Sequence, residues 1–260
     1  MKKRALLAIV MISAVCLSLT LAGCDNTVYP NIEDAGPVFE AVAEIESYDC
    51  DVFITYAGES ALAGGYASYN SYSLKLIQLN DEKAFRYLYS IQKPAKVFLI
   101  DNKTFFYYDN ELQTGTPQEG EEAPEMPFIP VSPFFAELER LSYTATYPAT
   151  NRSLFEAEYT ESKLKELAAL AAGIDKDKIT KCAVSIEADN KTMLPVSVTF
   201  TVDCDFTVGE NTFTGAVQIK YAFKKFNKPL TIGYPDEVKE YLEKNYPEFF
   251  KAEEGEAEAE

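Results

Sequence analysis

Residues 195–226, PVSVTFTVDCDFTVGENTFTGAVQIKYAFKKF, decide the fold. Within them Val217, Ile219, Tyr221 and Phe223 alternate with Gln218, Lys220 and Lys224. A period of two is that of a strand with one dry face. Two strands are therefore expected, at 195–208 and about 212–226. A third, at 180–188, precedes the turn Asp189-Asn190-Lys191-Thr192. Strands joined by such short turns pair antiparallel.

The same period continues upstream. In 48–57, Cys50, Val52, Ile54 and Tyr56 share one face. Residues 58–71 are rich in Gly, Ala and Ser and read as a loop. Strands follow at about 72–79 and 84–92, and later at 142–147 and 153–160. Helical spacing is confined to four places. Residues 36–47 place Val38, Val42 and Ile45 on one side, with Pro37 at the start. A short helix is expected at 133–141. At 161–172, Leu164, Leu167, Ala168 and Ala171 form an apolar face, Thr160 caps it and Gly173 stops it. Pro235 opens the last, with Val238, Tyr241 and Leu242 together. The pattern is α+β but mostly β: an antiparallel sheet with a few helices.

Residues 95–109 differ from the other strands. They read as a hairpin turning at Asp101-Asn102-Lys103, yet both faces are apolar. Such a pair needs cover on both sides, from a helix on one and a loop or second layer on the other. Alternatively one face, carrying Phe98, Ile100, Phe106 and Tyr108, lines a ligand groove.

The chain begins Met-Lys-Lys-Arg and continues with an uncharged apolar stretch to residue 22. Leu21-Ala22-Gly23-Cys24 follows, and resembles the lipobox of bacterial lipoproteins at each of its four positions. The resemblance implies a signal peptide at 1–23 and diacylglyceryl transfer to the Cys24 sulfur. A spanning helix of about 18 residues is the competing reading. Small residues before Cys24 and the polar Asp25-Asn26-Thr27 after it favour export. Residues 24–35 then form a lipidated tether and 36–250 a single domain. Residues 110–127, with three Pro, two Gly and five acids, form an acidic loop within that domain. The acidic tail 251–260 is expected to be disordered.

Charge narrows the partners. Loss of residues 1–23, with Lys2, Lys3, Arg4 and no acid, takes the formal charge from −17 to −20. Such a surface repels nucleic acid and anionic lipid alike. Residence at a membrane therefore depends on two buried acyl chains, because one gives only a marginal anchor. The sequence contains no His, which removes Ser-His-Asp and Cys-His catalysis and the common His-containing zinc sites.

Three stretches, residues 98–109 (FLIDNKTFFYYD), 186–195 (IEADNKTMLP) and 223–235 (FKKFNKPLTIGYP), together with the element order, carry a wider resemblance. The chain resembles the LolA/LppX-like bacterial lipoproteins, above all their Gram-positive members. That resemblance implies a curved antiparallel half-barrel packed with a few helices, often with an apolar cavity, and no catalytic residues.

Asp49-Cys50-Asp51 recurs as Asp203-Cys204-Asp205. Acids two apart on a strand share a face and could contribute to a Ca²⁺ site, but one pair supplies too few ligands. Solvated outer-face acids are expected, with no metal or cofactor. Cys50, Cys182 and Cys204 each lie on an apolar face. A turn centred between residues 190 and 191 would set Cys182 opposite about residue 199, so buried reduced thiols are favoured over one disulfide. The expected function is that of a non-enzymatic, extracytoplasmic lipoprotein, held to the membrane by Cys24, that binds an apolar or lipid-like ligand. The alternative is a module with a filled core that docks an envelope protein.

Overall fold

The computed structural model describes residues 27–80, 83–90, 95–100, 103–113, 131–228 and 230–247. The signal, Cys24, Asp101-Asn102 of the hairpin turn, most of the acidic loop and the tail lie outside the described residues, as does the side chain of Ala171.

The described residues from Asn31 onward form one compact unit. Its strands are β1 (Ser47–Ser60), β2 (Gly64–Asn80), β3 (Lys83–Ser90), β4 (Ala95–Ile100), β5 (Lys103–Tyr108), β6 (Glu111–Leu112), β7 (Thr144–Ala149), β8 (Arg152–Tyr159), β9 (Ile179–Asp189), β10 (Pro195–Val208) and β11 (Asn211–Phe226). All eleven form one open sheet in the order β6-β5-β4-β3-β2-β1-β11-β10-β9-β8-β7. Every pairing is antiparallel. Four α-helices among the described residues accompany it: α1 (Gly36–Ala43), α2 (Val131–Leu138), α3 (Ser162–Ala172) and α4 (Asp236–Asn245). The expected class, mostly β with an antiparallel sheet and a few helices, is the observed one.

One face of the sheet carries the main core. Val52 on β1 faces Tyr221 on β11, which faces Val198 on β10, which faces Ile186 on β9, which faces Phe155 on β8. All five are buried. Val38, Phe39 and Val42 of α1, Phe135 and Leu138 of α2, and Leu164, Ala168 and Ala169 of α3 pack into the same cluster, which reaches Leu88 of β3 and Val97 of β4. A sheet whose strands β4 to β8 all reach one set of helices curls around them as a half-barrel does.

A second, smaller core lies on the opposite face at the β3–β5 end. Phe85, Phe98, Ile100, Phe105 and Tyr107 pack there under Val238 and Leu242 of α4. The two-faced hairpin is thus covered on that side by a helix, as its pattern demands. Tyr107 Oη donates to Glu237 Oε2 over 3.0 Å, tying strand to helix. Burial, then the carboxylate beside it, push the Tyr107 phenol well above its ordinary range.

Several local expectations are corrected. The stretch 58–71 is no loop: β1 and β2 pair without interruption from Ser47–Ile77 to Ser60–Gly64. One of its small residues, Gly58, serves close approach. A Cβ on Gly58 would stand 3.0 Å from the Phe206 ring. Helix α3 begins at Ser162, and Glu161, rather than Thr160, precedes its first residue. Gly173 does stop it, at φ 65°. Residues 31–35, expected in the tether, belong to the fold. Ile32 and Ala35 are buried, and Ile32 N donates to Ser153 Oγ over 3.0 Å. Ser153 Oγ in turn donates to Asn190 Oδ1 at 2.8 Å, and Asn190 Nδ2 to Asn31 Oδ1 at 3.4 Å.

The β9–β10 register also differs. Cys182 lies opposite Val202, not residue 199, and Cys204 lies opposite Ile179. The turn is longer than its sequence suggests. Met193 takes a left-handed φ of 59°, its N–H closes onto Asp189 O at 2.8 Å, and a bulge follows between Pro195 and Ser197. Cys50, Cys182 and Cys204 are all buried and free.

Candidate functional site

The long strands carry one end of the main face beyond the helices. Tyr56 on β1, Tyr66 on β2 and Phe206 and Phe213 on the β10–β11 hairpin meet there. Phe206 lies 5.7 Å from Tyr56, 5.9 Å from Tyr66 and 5.7 Å from Phe213, centroid to centroid. These are favourable aromatic separations, with Phe206 and Phe213 stacked and Tyr56 edge-on. Gly58 makes the room, since a side chain there would press on the Phe206 ring.

Beside this aromatic wall is a half-open pocket of about 400 Å³. Its far side is the link from α3 to β9, which local bonds hold in shape. Gly173 turns the chain, Ile174 N donates to Ala169 O at 3.0 Å, and Asp175 Oδ1 accepts from Asp177 N at 3.0 Å. Ile174 and Val208 add apolar surface, while Ser68, Asn70, Asp175, Lys178, Asp205 and Thr207 make most of the lining surface polar. The volume falls within the range of small-molecule sites, about 300–1,000 Å³. An aromatic floor with a polar rim suits an amphiphile: the rings take an apolar body and the rim a polar head.

Burial raises the Tyr56 phenol, with smaller contributions from Tyr72, Tyr66 and Cys204. It is therefore a neutral donor or acceptor at neutral pH. The Cys204 thiol, behind the wall, is pushed up to about 11 by burial and by Asp205 and Asp203. It is protonated, and so a poor nucleophile.

The residues expected to line a groove are not brought together. Phe98 faces Phe105, so Phe98 and Ile100 point to the face that α4 covers and are fully buried. Phe106 faces Val97 on the other side, where it is 37% exposed and Tyr108 is 45% exposed. The acid pairs do not converge on a cation. Asp51 pairs with Lys224 Nζ at 2.6 Å, Asp49 stands 4.0 Å from Lys75 Nζ, and Asp205 accepts from Thr214 Oγ1 at 2.7 Å. Among the described residues no group of three or more potential ligands assembles. The pocket escaped sequence reading because one side of its wall, Tyr66, Ser68 and Asn70, lies in the stretch read as a loop. The available signal was the three tyrosines Tyr66, Tyr69 and Tyr72, a residue type that favours strands.

No family model matches the chain, and no curated protein matches it. Solved structures with some likeness include a putative outer membrane lipoprotein-sorting protein domain from Vibrio parahaemolyticus. It is 9% identical, with 76% of this chain and 92% of that one covered, at a TM-score of 0.29. A LolA superfamily protein from Nitrosomonas europaea is 9% identical over 78% and 96% of the two chains, at 0.26. The MucA/MucB complex of Pseudomonas aeruginosa gives 11% identity over 78% and 58%, at 0.31. The fold stands on the strand pairings themselves rather than on these likenesses. No helix among the described residues is long and apolar enough to cross a membrane.

Proposed function

We propose that the chain is an extracytoplasmic lipoprotein, anchored through Cys24, that binds a lipid-like amphiphile without catalysis. The observation that carries the binding is the pocket walled by Tyr56, Tyr66 and Phe206 at the open end of the half-barrel. The site is this pocket rather than the hairpin, where α4 already occupies the face of Phe98 and Ile100. The anchor reading rests on Leu21-Ala22-Gly23-Cys24 and on an acidic domain that lipid alone would hold at a membrane. The LolA/LppX-like reading rests on the three motif stretches and the helix-lined sheet.

Native mass spectrometry of the purified Cys24→Ser protein, together with uptake of a dansylated fatty acid, tests the binding. Bound amphiphile and saturable uptake are expected, with uptake lost in Ile174→Asp at unchanged thermal stability. An empty protein that takes up no probe overturns the reading.

The rival reading, docking of an envelope protein, draws on Phe106 and Tyr108, exposed side by side on the edge-proximal strand β5. It expects Phe106→Ser with Tyr108→Ser to abolish partner capture and leave probe uptake unchanged.

A further inference from the structure

We infer that the anchored protein holds its pocket away from its own membrane, so that ligand reaches it from the water side. The inference rests on Cys24 as anchor and on the pocket as the ligand site. It follows from which ends of the sheet the two occupy.

The chain enters the fold at Asn31-Ile32. There the main-chain N–H of Ile32 is held by Ser153, and Asn31 by Asn190. Ser153 lies opposite Ala188 near the end of β9, and Asn190 directly follows that strand. Both Ser153 and Asn190 are buried, so this is a built attachment and not a loose contact. The pocket is at the other end of the same strand: Lys178, just before Ile179, lines it, as do Thr207 and Val208 at the tip of β10.

Strand β9 is 11 residues long. At about 3.3 Å per residue, attachment and pocket are roughly 33 Å apart. Six residues lie between Cys24 and Asn31, and the seven Cα-to-Cα steps fully extended reach about 25 Å. Inverting the domain so that the pocket touched the bilayer would lift Asn31 beyond that reach. Laying it flat would bring a strongly acidic surface down on an anionic membrane, which charge opposes. The remaining arrangement is upright, with the turns around Asn151 and Lys191 towards the bilayer and the turn around Glu210 away from it.

The test uses the full lipidated protein in vesicles of neutral and anionic phospholipid, with a fluorescent acceptor on the headgroups. Donors are attached at Lys191→Cys or at Glu210→Cys, and background from the three buried native thiols is measured on the parent. Energy transfer several-fold stronger from position 191 than from 210 is expected. Equal or reversed transfer overturns the orientation. Failure of the protein to float with vesicles overturns it too, and identifies the anchor reading as the fault. A parallel arm supplies a dansylated fatty acid from water. Equal uptake by the anchored protein and by Cys24→Ser is expected. Uptake lost on anchoring overturns water-side access, and uptake absent from both forms sinks the ligand reading while leaving the orientation measurement standing.

Discussion

A Cβ on Gly215 would stand 2.0 Å from the carbonyl oxygen of Ala57. These residues sit on β11 and β1, beside the paired Gly58 and Gly215, where two of the longest strands in the sheet join. Gly58, in the same seam, leaves the room that the Phe206 ring fills.

Gly215→Ala must therefore push β1 and β11 apart. Overpacking of this kind costs about 1–3 kcal/mol, and a clash with backbone belongs at the upper end. A urea denaturation curve should show that loss. Gly65→Ala, with open space around it, should leave the midpoint nearly unchanged.

Ser153→Ala removes the acceptor of Ile32 N–H and the donor to Asn190. An unsatisfied buried group costs about 1–3 kcal/mol. Beyond lost stability, protease cleavage within residues 27–35 should accelerate, because the attachment is cut. Unchanged cleavage would refute the role assigned to this pin.

Alkaline pH should destabilise the fold. Cys204, 2% exposed, has an ordinary value of 9.0 that the fold raises to about 11. Cys50 is raised as well, by burial first and then by Asp49 and Asp51. A raised value favours the neutral thiol in the folded state. That stability is fully present below pH 9 and is lost as pH climbs through 11. At 1.36 kcal/mol per unit, Cys204 alone contributes about 2–3 kcal/mol. Urea midpoints on either side of this window check it, and Cys204→Ala should flatten the decline.

Leu242→Ala empties the centre of the small core beneath α4, at an expected cost of about 2–5 kcal/mol. Binding of a hydrophobic dye to the exposed β3–β5 face should rise, while uptake at the distant pocket persists.

Legibility followed locality. Val217, Ile219 and Tyr221 announced their strand because alternation needs no knowledge of neighbours, and all three are buried. Val238 and Leu242 likewise announced the last helix. Gly58, Gly64 and Ser68 misled for the same reason: taken alone, small residues read as loop, and only the partner strands show why Gly58 is small. The hairpin pairing failed over one residue of register. That slip moves every side chain to the opposite face, so Phe98 joins Phe105 rather than Phe106.

By itself the sequence determined the antiparallel, mostly-β class, the helix faces and the placing of three cysteines on apolar strand faces, and it supplied the lipobox resemblance at Cys24. Each follows from local periodicity or a short contiguous motif. Tertiary structure alone decided the face under α4, the three-residue displacement of Cys182 and the pocket of Tyr56, Tyr66 and Phe206. Those depend on turns, bulges and backbone approaches between residues as far apart as Ala57 and Gly215, whose geometry no local pattern records.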